Sequence, residues 1–174
     1  ANQRAPLKEM FAWYHSADEI HSSLQQLVTS CKGADAELSQ RTEINSADAA
    51  GEVVQLDVLR VSRAGSSRPK TKAMLIFGEH ARELISPESA LHFAQALCGH
   101  GPDAERASRV LDSVSFTIVP NANPISRKKV EEGFYCRRTN EDGVDLNRNF
   151  GDDHRVSAGE QRGDEQNPGP GGFS

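Results

Sequence analysis

An α/β domain is the fold class this sequence predicts, on three observations. Helical and extended patterns alternate along residues 17–119. Two short apolar runs, Ala73–Phe77 and the patch around Val114–Pro120, have the length of core strands. Gly, Ser and Pro punctuate the segments between them, as in chains that alternate strand and helix around one sheet. With 174 residues there is room for one domain with a real core.

Residues 1–14 read as an irregular arm, with Phe11, Trp13 and Tyr14 as packing anchors; the arm proper is assigned to 1–12 and the domain to 13–174. Ser16-Ala17-Asp18-Glu19 is a capping box, since the Ser hydroxyl and the Glu carboxylate can each accept from the other's backbone N–H. Ile20, Leu24, Leu27 and Val28 follow at helical spacing, which predicts a helix over 17–30. Residues 32–51, rich in Ala, Asp, Ser and Gly, show no clear period and are expected to be loop with some short strand. Val54, Leu56 and Val58 alternate with Gln55 and Asp57, which predicts a half-buried strand over 52–61. After a turn over 64–72, Ala73–Phe77 reads as a fully apolar strand ending at Gly78. Ser86-Pro87 has the chemistry of a helix start. Ala90, Leu91, Phe93, Ala94 and Leu97 carry that helix to Gly99. A short helix over 106–112 and a buried strand over 115–119 complete the periodic part, and long polar connections follow residue 120.

The formal net charge of −5, with no sustained Lys/Arg stripe, argues against nucleic acid as the main partner. Lys128-Lys129 and Arg137-Arg138 are only doublets, and the first reads as solvated surface. No apolar stretch approaches the roughly 20 residues that span a bilayer. The chain opens on Ala1 without a leader-like segment, so either a leader has been removed or the sequence begins inside a longer protein. Cys31, Cys98 and Cys136 are odd in number and widely spaced; one bridge plus a free thiol and three reduced thiols fit equally well.

The chemistry gathers at His80-Ala81-Arg82-Glu83 and at Asp145-Leu146-Asn147-Arg148-Asn149-Phe150. His-x-x-Glu is common by itself, but here it follows an apolar strand, precedes a helix and stands next to Gly78, which lets the backbone turn sharply. In an α/β sheet ligands gather at the carboxyl ends of strands, where His80 falls. Neutral imidazole and carboxylate are both zinc donors, and catalytic zinc takes three protein ligands. Asp145 has the chemistry to orient a ligand histidine from behind. Asn147 and Arg148 suit recognition of an anion, a guanidinium being able to grip a carboxylate with two parallel bonds.

Five segments together resemble the zinc metallocarboxypeptidase family of the carboxypeptidase A type. They are Trp13-Tyr14-His15-Ser16 with Glu19-Ile20, Phe77 to Glu83, Asn121-Ala122-Asn123-Pro124, Cys136-Arg137-Arg138-Thr139 and Val144 to Phe150. Order and spacing match from about residue 13 onward. The resemblance implies a mixed-sheet α/β/α zinc-exopeptidase domain that hydrolyses C-terminal residues of peptides and proteins. It implies Zn2+ held by His80 and Glu83, with Asp145 as the acidic partner of His80. Arg137 matches the arginine that polarises the scissile carbonyl, an electrostatic role. Asn147 and Arg148 match the pair that binds the substrate's terminal carboxylate, and Arg82 an accessory substrate-binding arginine. Secretion is a further expectation of the resemblance.

The family also supplies a second histidine ligand and a glutamate base further along the chain. Here the one later histidine is His154, in a charged loop, so the sequence reads as the first part of a catalytic domain, truncated at its C-terminal end and inactive alone. The preferred terminal residue, a pro-segment and the oligomeric state are not written in it. Two alternatives compete. The related acyl-amino-acid deacylases share His-x-x-Glu and Asp-Leu-Asn-Arg but carry His-Gly-Asn-Glu where this chain has His80-Ala81-Arg82-Glu83. A non-catalytic relic would keep Arg82, Asn147 and Arg148 as a carboxylate-reading surface.

Overall fold

The computed structural model describes residues 3–44, 53–65 and 71–150. In order these form α1 (Leu7–Met10), α2 (Ala17–Ser30), β1 (Ala34–Ile44), β2 (Val53–Arg63), β3 (Thr71–Ile76), α3 (Ile85–Leu97), α4 (Ala104–Val110), β4 (Val114–Val119), α5 (Pro124–Glu131) and a single 3₁₀ turn, η1 (Leu146–Arg148). The strands make a mixed four-stranded sheet in the order β1-β2-β4-β3. β1 pairs antiparallel with β2, β2 antiparallel with β4, and β4 parallel with β3. The β3–α3–α4–β4 crossover is what places the end of β3 beside the end of β4, and the candidate site stands at those two carboxyl ends.

Register assigns the faces. Leu38, Leu59, Ile118 and Leu75 are successive cross-strand partners, as are Ala36, Val61, Phe116 and Ala73. Because side chains alternate along a strand, both rows lie on one face. That face meets Ile20, Leu24 and Leu27 of α2, Ala90, Leu91, Ala94 and Leu97 of α3, and Ala107 of α4, forming one core. Phe93 stacks edge-on against Phe116 across it, with ring centroids 5.2 Å apart.

Helix α2 starts where the capping box puts it: Ser16 Oγ accepts from Glu19 N at 3.2 Å, and Glu19 Oε2 accepts from Ser16 N at 2.7 Å. Cys31, just after α2, is bonded to Cys98, just after α3, and Lys32 N donates to Cys98 O at 2.9 Å. Cys136 is free and exposed.

Four expectations are corrected. Residues 34–44 are not loop but an eleven-residue strand, whose inward positions Ala34, Ala36 and Leu38 are mostly too small to signal one. The run Ala73–Phe77 is not buried throughout: Met74 and Ile76 point away from the core and are 62% and 38% exposed. Ser86 does not cap α3, which begins at Ile85; its hydroxyl accepts from Gly78 N at 2.9 Å instead. The stretch after residue 120 contains a helix, α5, entered through Asn123 with Pro124 in its first turn, where a missing N–H costs nothing.

Candidate active site

Gly78 begins the site. It adopts φ +70°, and a Cβ there would lie 2.9 Å from Asn121 Oδ1 and 3.2 Å from Pro87 Cγ. Only glycine takes this turn and this packing without strain. Asn121 and Asn123, at the end of β4, thus pack directly behind the β3 turn, and Asn123 Nδ2 donates to Glu79 O at 3.1 Å. The turn His80–Glu83 is closed by Glu83 N donating to His80 O at 3.0 Å, which brings the two side chains together.

His80 is buried at 7% exposure and has a carboxylate against each ring nitrogen. Its Nε2 lies 3.0 Å from Asp145 Oδ1, and its Nδ1 lies 2.8 Å from Glu83 Oε1. Asp145 is 1% exposed. Its second oxygen, Oδ2, accepts from Arg138 Nε at 2.8 Å, and Oδ1 also accepts the backbone N–H of Asn147 at 3.1 Å. Burial pushes the Asp145 carboxyl up, but the bonds from Arg138 and then His80 outweigh it and hold the group below the ordinary range. Asp145 therefore stays ionised and accepts from His80 Nε2; with the ring neutral and its proton there, the Nδ1 lone pair faces Glu83 Oε1, and a cation shared between those two atoms would hold both. That pairing fits a divalent metal with nitrogen and oxygen preference. It is a two-donor pairing: among the described residues no group of three candidate donors converges, and His154 lies outside them.

The two arginines of the doublet separate. Arg137 turns away from His80: its Nε donates to Ser126 Oγ at 3.1 Å, and its Nη2 to the carbonyls of Asn140 and Glu141 at 2.9 and 3.1 Å. Arg138 points in, with Nε on Asp145 and Nη1 3.9 Å from Glu83 Oε1. Its carbonyl accepts from Ala81 N at 3.4 Å, tying the arginine loop to the histidine turn. Asn147 and Arg148 are exposed on η1, whose start is capped by Asp145, so the residue that orients His80 also anchors this pair. Arg82 is exposed on the His80–Glu83 turn. The structure thus joins His80, Glu83 and Asp145 in direct contact, adds Arg138, and sets Asn147 and Arg148 alongside through Asp145. Sequence reasoning gave no role to Arg138, Asn121 or Asn123.

An imidazole set between two carboxylates at the carboxyl end of the sheet, with arginine and asparagine beside it, has the chemistry of part of a metal centre in an α/β domain. The profile of the zinc carboxypeptidase family matches residues 27–174, and the chain belongs to that family. A curated relative, carboxypeptidase E of Caenorhabditis elegans, is 27% identical over 151 residues, covering 80% of this chain and 30% of that protein. Among solved structures, thrombin-activatable fibrinolysis inhibitor superposes with TM-score 0.64 at 27% identity, over 81% of this chain and 35% of that one. Carboxypeptidase A from Helicoverpa armigera gives TM-score 0.66 at 22% identity, over 92% and 39%. The chain spans about a third of the length of these relatives.

Proposed function

We propose that this chain contributes the first part of the zinc centre and the carboxylate-reading residues of a metallocarboxypeptidase acting on peptide or protein C-termini. The observation that carries the reading is the double clamp on His80, with Asp145 on Nε2 and Glu83 against Nδ1. Zinc bound by His80 and Glu83 would supply Lewis-acid polarisation of the carbonyl and activation of water. Asp145 holds the ring so that Nδ1 presents its lone pair. Asn147 and Arg148 bind the terminal carboxylate of the substrate, Arg148 through its forked guanidinium, and exposed Arg82 adds a second cation.

The motif resemblance gives the carbonyl-polarising role to Arg137. Proximity supports Arg138 as the alternative: both guanidinia are engaged, Arg137 with Ser126, Asn140 and Glu141 and Arg138 through Nε with Asp145, but Arg138 also stands beside Glu83, with Nη1 3.9 Å from Oε1. A guanidinium there stabilises the oxyanion as the carbonyl is attacked.

Catalytic zinc takes three protein ligands, and the described residues supply two. The His80–Glu83 pair by itself is therefore expected to bind zinc weakly, and turnover to need a third donor. The Cys31–Cys98 bond supports an oxidising compartment, in keeping with secretion. The test uses the longest natural protein carrying this chain, purified with zinc and offered a panel of peptides. Release of C-terminal residues, abolished by a chelator, is expected; no release from any peptide would refute the reading.

A further inference from the structure

We infer that residues 3–11 of the N-terminal arm, acting through Gly133 and Tyr135, position the loop that carries Arg137 and Arg138. Helix α5 ends at Glu131, and the carbonyls just beyond its end have no helical partner. The arm supplies partners for them: Gln3 Nε2 donates to Glu132 O at 3.0 Å, and Arg4 N donates to Gly133 O at 3.0 Å. Tyr135 then reaches back, donating from its hydroxyl to Ala5 O at 2.9 Å, and its ring meets Phe11 edge-on with centroids 5.9 Å apart. Gly133 is buried at φ +106°, and a Cβ there would collide with the Arg4 carbonyl, so the arm lies flush on the loop backbone.

From this clamp the path to the site is short and continuous. Arg137 N donates to Phe134 O at 3.1 Å, closing a turn that starts at the residue between Gly133 and Tyr135. The next residue, Arg138, bonds to Asp145 through its side chain and to Ala81 through its carbonyl. The arm thus fixes the near end of the loop, and Ser126, Asn140 and Glu141 fix the Arg137 side chain at the far end. Without the arm the carbonyls of Glu132 and Gly133 turn to water, and the near end of the arginine turn is held only by Gly133 N and Phe134 N on the carbonyls of Val130 and Lys129.

The link to catalysis rests on the proposed function; the positioning itself does not, and its test reads the loop directly. Amide hydrogen exchange is measured on the intact chain, on a chain lacking residues 1–5, and on Y135F. Exchange at the amides of Arg137, Asn140 and Val144 is expected to rise about fivefold or more in both variants, as loss of one or two hydrogen bonds from a locally opening segment gives. Amides of β2 and β4 are expected to stay at wild-type rates, which a general loss of stability would not allow. A smaller rise in the loop, or an equal rise in the sheet, would overturn the inference. If the shortened chain fails to fold, Y135F alone decides. Peptide hydrolysis by the longer protein can fail without touching this result, and the reverse also holds.

Discussion

His80 Nε2 and Asp145 Oδ1 meet at 3.0 Å across 65 residues of sequence, and the contact is buried. With Nε2 held against Asp145, Nδ1 is the ring nitrogen left to reach a metal. D145N is expected to weaken zinc binding by roughly 10- to 100-fold, the usual cost of losing such a partner. Competition with a chelating dye measures it. An unchanged affinity would mean that His80 orients itself without Asp145.

Arg137 and Arg138 make a second comparison. In the longer protein, R138M is expected to lower kcat by about 100-fold with little change in KM, as removal of an oxyanion donor does. R137M is expected to cost less in kcat and to lower the melting temperature, because it leaves Ser126 and two loop carbonyls without their donor. A larger kcat loss in R137M would return the role to Arg137.

Gly78 is the backbone hinge of the histidine turn. G78A is expected to destabilise the domain by about 2 kcal/mol or more, from positive φ combined with the collision with Asn121. Chemical denaturation tests this, and a midpoint within error of wild type would show that the turn relaxes freely.

Glu19 gives the pH dependence. The hydrogen bond from Lys8, then those from Ser16, lowers its carboxyl from 4.5 to about 2. A lowered carboxyl contributes stability that is fully present above the unfolded value and is lost as pH falls through the folded one. The start of α2 is therefore expected to loosen between about pH 4.5 and pH 2. The effect is small, because the pair is about half exposed and screened. Acid titration followed at the Ser16 and Glu19 amides should show this step in wild type and lose it in E19Q; the same step in both would assign it elsewhere.

How much of this was legible in the sequence follows from the size and direction of particular side chains. The bounds of α2 were readable because its start is written in side chains, Ser16 and Glu19, and its buried face in Ile20, Leu24 and Leu27. β1 was not, because inward Ala34 and Ala36 carry almost no hydrophobic signal. α5 carries little helical signal because its buried positions include Ser126 and Arg127; the latter is held by Glu131 and the His15 carbonyl. Met74 and Ile76 looked like core because hydrophobicity alone does not say which face of a strand is covered. In the site, the His-x-x-Glu spacing after an apolar strand and beside Gly78 pairs His80 with Glu83, and its chemistry makes Asp145 a partner for a ligand histidine. That these segments converge is implied only by the family resemblance, since nothing local spans 65 residues. Arg137 and Arg138 are neighbours of identical chemistry, so their opposite directions could be read only in three dimensions.

His80 and Glu83 are expected to grip one metal ion between them. Calorimetric titration of zinc into the chain, into H80A and into E83Q measures this: one weak site in the wild-type chain, lost in both variants, is expected. Equal zinc binding by wild type and H80A would rule it out.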